Sequence, residues 1–134
     1  MQRLSLTALL VADYDAAIEF YVGKVGFDLV ADTDQGAGKR WVVVRPPGSD
    51  AGLLLAKAAG EQAGRVGDQG GGRVMFFLET DDFARDQQRM LAAGVRFAEA
   101  PRHEPYGIVA VWEDLYGNRW DLIQPVPAAS AERR

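Results

Sequence analysis

An internal repeat governs what this chain can fold into. Asp13-Tyr14, Phe20-Tyr21 and Gly26-Phe27 are echoed by Asp81-Asp82, Met90-Leu91 and Gly94-Val95. The spacing is constant, 81−13 and 94−26 both giving 68, about half of the 134 residues. In each copy an apolar strand meets an acidic N-cap, a one-sided helix, a glycine stop and further strands. A duplicated unit of this kind has two half-sheets able to build one shared cleft.

Along the first copy, Leu4 to Val11 reads as a strand buried on both faces. Asp13 caps the following helix by accepting amide hydrogens of its first turn. Ala16, Ala17, Phe20 and Tyr21 recur at helical spacing and face inward, while Asp15 and Glu19 face water. Gly26 ends the helix at a left-handed position. Strands follow from Phe27 to Val30, Trp41 to Arg45 (stopped by Pro46-Pro47) and Gly52 to Ala56. Residues 57–72 carry six glycines and no hydrophobic period, the pattern of a mobile connector. Gly70-Gly71-Gly72 is not followed by the Gly-Lys-Ser/Thr that a phosphate loop needs.

The second copy opens with Val74 to Glu79. Thr80-Asp81-Asp82 caps a helix over 83–93 whose residues Phe83, Met90 and Leu91 are spaced for burial, and Gly94 stops it. Val95–Phe97, Ile108–Glu113 and Arg119–Ile123 supply the remaining strands, with a turn at Leu115 to Asn118. The expected fold is α+β: two tandem βαβββ modules forming a curved, open, barrel-like mixed sheet with a cleft, helices outside. One domain covers 1–124 (module one 1–57, connector 58–72, module two 73–124), and a loose tail covers 125–134.

Composition excludes several classes of function. The formal charge is −4, from 15 Lys and Arg against 19 Asp and Glu, and the basic residues are scattered. Nucleic-acid binding relies on neutralised phosphates, so an acidic chain without a basic patch argues against it. No apolar run approaches the roughly 20 residues of a membrane span. Nor does the N-terminus show a signal-peptide pattern, which makes the cytoplasm the expected compartment. The chain has no cysteine and one histidine, so thiolate chemistry and any site needing two histidines are ruled out.

The repeat, with Val11-Ala12-Asp13-Tyr14, Phe20-Tyr21, Gly26-Phe27 and the run from Trp112 to Leu122, resembles the vicinal oxygen chelate superfamily of glyoxalases, extradiol dioxygenases and bleomycin-type antibiotic-binding proteins. The resemblance covers roughly residues 4–124. It is closest to the small glyoxalase-like group through Arg40-Trp41, Pro46-Pro47-Gly48 and Pro105-Tyr106-Gly107. It implies a divalent ion held by four cleft-facing strand positions, which fall here at Leu6, Leu53 or its neighbour Leu54, Met75 and Asp121. The internal spacing favours Leu53, since 121−53 is again 68. Alkyl groups and a thioether do not bind a hard cation, and a slip of one residue brings in no strong ligand. No metal and no cofactor is therefore expected; a divalent metal is the alternative.

Asp121 stands out among the single residues. Alternation puts it on one face with Arg119 and Ile123, and a carboxylate on an apolar face has a raised pKa or needs a partner. It reads either as a general base or anchor for a cationic ligand, or as half of an ion pair with Arg119 or Arg45. His103 lies in the proline-flanked segment 101–105, read as a loop, and Tyr106 could lid the cleft. Trp41, Trp112 and Trp120 together would crowd so small a core; packing in the core or at a dimer interface is the first reading of each, and stacking of a flat ligand is the alternative, best at Trp41. Met75 and Phe77 alternate onto the metal-side face and make its floor apolar, and Arg45 could meet an anionic group. The leading reading is a metal-independent protein binding a small apolar or aromatic molecule between the modules through Trp41, Arg45, Met75, Phe77, His103, Tyr106 and Asp121, as a homodimer. The rivals are a lyase or dioxygenase, a metal-free isomerase with Asp121 as base, and an interaction domain with a collapsed cleft.

Overall fold

A computed structural model describes residues 1–127; of the expected tail, 128–134 lie outside the described residues. The chain divides into two compact units, Met1–Gly71 and a second from Gly72 onward, each with its own mixed sheet. The α+β class with two related βα-led halves is therefore what the sequence forms.

The first unit runs β1 (Leu6–Val11), α1 (Tyr14–Ile18), a π-helical continuation (Glu19–Val25), β2 (Asp28–Gly36), β3 (Lys39–Arg45) and β4 (Gly52–Lys57). The sheet order is β1-β4-β3-β2, with β1 parallel to β4 and the other pairs antiparallel. Leu9, Val11, Val42, Val44, Leu53 and Leu55 form its buried face, packed with Tyr14, Ala17 and Tyr21. The opposite face carries Leu6, Ala8, Leu54, Val43 and Trp41, because alternate residues of each strand point away from the helix.

Asp13 caps as expected, accepting from the Ala16 amide at 2.8 Å, and Gly26 ends the helix at φ 96°. The helix does not stay α-helical, however. In the second half the Val95 amide closes on Met90 O; here the Phe27 amide closes on Tyr21 O across one residue more. The widened π turn takes up that extra residue and keeps Tyr14, Phe20, Tyr21 and Val25 all buried. The expected connector is not featureless. It holds a 3₁₀ turn at Gly60–Arg65, and the Gln69 side chain bonds Ala8 O and the Leu10 amide, both at 2.9 Å.

The second unit runs β5 (Val74–Glu79), α2 (Phe83–Ala92), β6 (Arg96–Phe97), β7 (Arg102–Glu104), β8 (Gly107–Glu113) and β9 (Arg119–Pro125). The order is β5-β9-β8-β6, with β7 also paired to β8. Asp82 is the N-cap, accepting from the Arg85 amide at 3.1 Å, and α2 buries Phe83 and Met90. Leu91 is exposed, a correction to its expected burial. Trp112 and Trp120 both fit in the core, stacked with centroids 4.9 Å apart, so only Trp41 of the three is left at the surface.

Segment 96–104 answers to β2 but is broken. Pro101 has no amide hydrogen to donate, and in the gap a Glu99 carboxylate oxygen accepts the Val111 amide at 2.9 Å. Gly107, which opens β8, cannot be replaced: at φ 152° its added Cβ would collide with Gln124 O and lie 2.9 Å from Pro125 Cα. The turn after β8 is held by Asp114, whose carboxylate accepts from the Tyr116 and Asn118 amides and the Asn118 side chain, each at 2.9 Å.

Candidate functional site

Strand parity sorts the candidate residues. In the second unit Asp121 lies opposite Phe77 on β5 and Val111 on β8. Phe77 is 66% exposed, so the two form part of an open face away from α2. Val74 pairs Arg119 and Phe76 pairs Trp120, which leaves Met75 as the unpaired residue of a bulge.

Asp121 Oδ1 is buried with no hydrogen-bond partner among the described residues, and so is Arg119 Nε. Neither expected ion pair forms: no Asp121 bridge to Arg119 or Arg45 is found among the described residues. Burial pushes the Asp121 carboxyl above the usual aspartate range, opposed mainly by the nearby Arg102 charge and assisted by Glu99. Arg102 itself is held by Glu99 at 3.0 Å and Glu104 at 3.2 Å.

His103 is placed differently from expectation. Its segment is strand β7 rather than loop, and His103 pairs Ile108 while Arg102 pairs Val109. Val109 and Asp121 share one face, so Arg102 is on the side of Asp121 and His103 is on the other. Arg102 and Glu99 are thus polar neighbours of Asp121 that composition alone did not single out. The signal was present in Pro101-Arg102-His103-Glu104-Pro105, whose alternation is that of a short strand. Tyr106 is 48% exposed in the β7–β8 turn, beside Arg102.

The first unit contains a cavity of about 430 Å³, within the range of small-molecule sites. Trp41, Leu54, Ala56, Lys39, Lys57 and Gln62 are among its lining residues. Trp41 is 40% exposed on the open face of β3. Arg45 shares that strand and face, is exposed and makes no ion pair among the described residues.

The four superfamily ligand positions need one correction. Leu53 is buried on the helix side of its sheet, whereas Leu54 faces the other way. Val44 pairs Leu53 as Trp112 pairs Trp120, so Leu54 is the counterpart of Asp121. The equal spacing misled because loop 46–51 is one residue longer than loop 114–118. The set Leu6, Leu54, Met75 and Asp121 offers a single carboxylate. Among the described residues no group of three or more His, Cys, Asp or Glu is placed to hold a metal. These residues do not fit a divalent ion.

The sequence model of the glyoxalase/bleomycin resistance protein/dioxygenase superfamily matches residues 3–122. The chain belongs to this superfamily. An uncharacterised protein of Shewanella frigidimarina is 58% identical over 92% of this chain and 93% of its own. TnmS3, described as an antibiotic binding protein from Streptomyces sp. CB03234, is 34% identical with a TM-score of 0.79, covering 93% of this chain and 97% of that one. UcmS2 is 29% identical with a TM-score of 0.80, covering 92% and 98%. No helix among the described residues is long and apolar enough to cross a membrane.

Proposed function

We propose that this protein binds a small, largely apolar or aromatic molecule directly, with no metal ion between protein and ligand. The observation that carries the reading is Trp41, a large aromatic face left 40% exposed beside a cavity of about 430 Å³ floored by Leu54 and Ala56. An exposed indole next to an apolar hollow is suited to stacking a flat molecule. The likeness to TnmS3, described as antibiotic-binding, supports a small-molecule ligand.

Titration with a panel of planar aromatic antibiotics, followed by protein fluorescence and by native mass spectrometry, tests it. Saturable one-to-one binding that Trp41→Ala weakens about tenfold or more is expected, since aromatic stacking and its buried area disappear together. Absence of binding across the panel, or affinity unchanged by Trp41→Ala, would sink the assignment. The same spectra read the oligomer. A homodimer is our proposal, supported by β2, a free edge nine residues long that exposes Leu29 and Val30.

One observation favours a second reading, a metal-free enzyme using Asp121 as base. Its Oδ1 lacks a partner among the described residues and its pKa is raised by burial, the state that suits a proton acceptor. That reading requires a turnover that vanishes in Asp121→Asn while the fold is retained.

A further inference from the structure

The charged residues that line the Trp41 cavity are all of one sign. Lys39, Arg40 and Lys57 line it, and no Asp or Glu does. Arg40 is already neutralised: its guanidinium meets Asp32 at 2.7 Å and Asp15 at 2.9 Å and lies 5.1 Å over the Tyr14 ring. The two lysines are not, for neither has an ion-pair partner among the described residues. Antiparallel pairing of Val42 with Leu55 brings the start of β3 and the end of β4 to one end of the sheet, where Lys39 from the Trp41 face and Lys57 from the helix face both line the cavity. In a chain of formal charge −4 acidic groups are plentiful, and among the described residues those near this cavity, Asp15 and Asp32, pair with Arg40 and not with the lysines. Two uncompensated like charges beside an apolar wall repel each other, and an anion between them turns that repulsion into attraction. Gln62 adds a donor. Its Oε1 is fixed by the Ala59 amide at 2.9 Å, and its Nε2 has no described acceptor.

We propose that the Trp41 cavity selects planar aromatic ligands bearing an anionic group, the ring lying on Trp41 and the anion held by Lys39 and Lys57. The proposal rests on the small-molecule reading above and adds to it the charge of the ligand.

A matched pair of fluorescent probes separates the two claims: 8-anilinonaphthalene-1-sulfonate, and N-phenyl-1-naphthylamine, which has the same rings without the sulfonate. Both are titrated against the whole protein and against Lys39→Gln/Lys57→Gln and Trp41→Phe variants. The expected result is tighter binding of the sulfonate, weakened about fivefold or more in the double-lysine variant and by added salt. Binding of the neutral probe stays unchanged by the lysine substitutions, and Trp41→Phe weakens both. Equal affinity for the two probes, or a sulfonate affinity indifferent to the lysines, overturns the charge selection and leaves the small-molecule reading standing. Failure of both probes to bind, or binding of both that ignores Trp41→Phe, overturns the two together.

Discussion

Ionising Asp121 places charge on a partly buried carboxyl whose Oδ1 has no donor among the described residues, and burial raises its pKa in the folded state. The folded protein then holds this proton to higher pH than the unfolded chain does. Stability from this group is therefore full below the ordinary aspartate value of about 3.9 and declines as pH rises through the raised folded value. Asp121→Asn should remove that decline: thermal unfolding at pH 3.5 and pH 7 should show the variant gaining relative to the parent at pH 7. A parent–variant difference independent of pH would show that the carboxylate is not strained. Ala37 is strained in another way, at φ 56° in the β2–β3 turn between Gly36 and Gly38. A left-handed turn position favours glycine or asparagine. Ala37→Gly should stabilise by about 0.5–1 kcal/mol in urea unfolding, relief of the Cβ clash exceeding the added chain entropy.

Among the elements, what could be read from sequence was local chemistry and parity. Asp13 and Asp82 announce helix starts because a carboxylate meets the orphan amides whatever lies around it. Asp121 is on the face expected because alternation survives in any strand. Insertions were not legible. The caps Asp13 and Asp82 are 69 apart, the stops Gly26 and Gly94 are 68 apart, and Leu54 and Asp121 are 67 apart. One slip is absorbed by the π turn and the other by loop 46–51, and neither leaves a hydrophobic signature. The break between β6 and β7 was hidden for a similar reason, since it is bridged by a side chain from within the gap. Glu99 accepts the Val111 amide and holds Arg102. Glu99→Ala should cost about 1–3 kcal/mol, the penalty of a part-buried amide left without its acceptor. Hydrogen exchange should show faster exchange at Val111 and through β7; unchanged protection there would mean that water replaces the carboxylate at no cost.

For the molecule as a whole, fold and family were written in the repeat, whereas function depended on which side chains occupy a few strand positions. The set Leu6, Leu54, Met75 and Asp121 predicts indifference to metals. Prolonged chelation should leave the unfolding midpoint unchanged, and added Mn, Ni or Zn should not raise it; a site filled to 100 times its Kd would contribute about 2.7 kcal/mol. A smaller detail guards one sheet edge. β1 is an edge strand, and its outward-pointing Ala8 carbonyl and Leu10 amide are both taken by the Gln69 side chain. A primary amide carries the donor and acceptor of a peptide group, so Gln69 acts as a single rung of a strand that is not there. An intruding chain finds that rung occupied. Deamidation to glutamate, a slow chemical ageing of glutamine, would replace its donor by a second acceptor facing the Ala8 carbonyl and release the edge. Gln69→Glu should therefore shorten the shelf life of the protein at high concentration, seen as earlier onset of light scattering with little change in the secondary-structure signal.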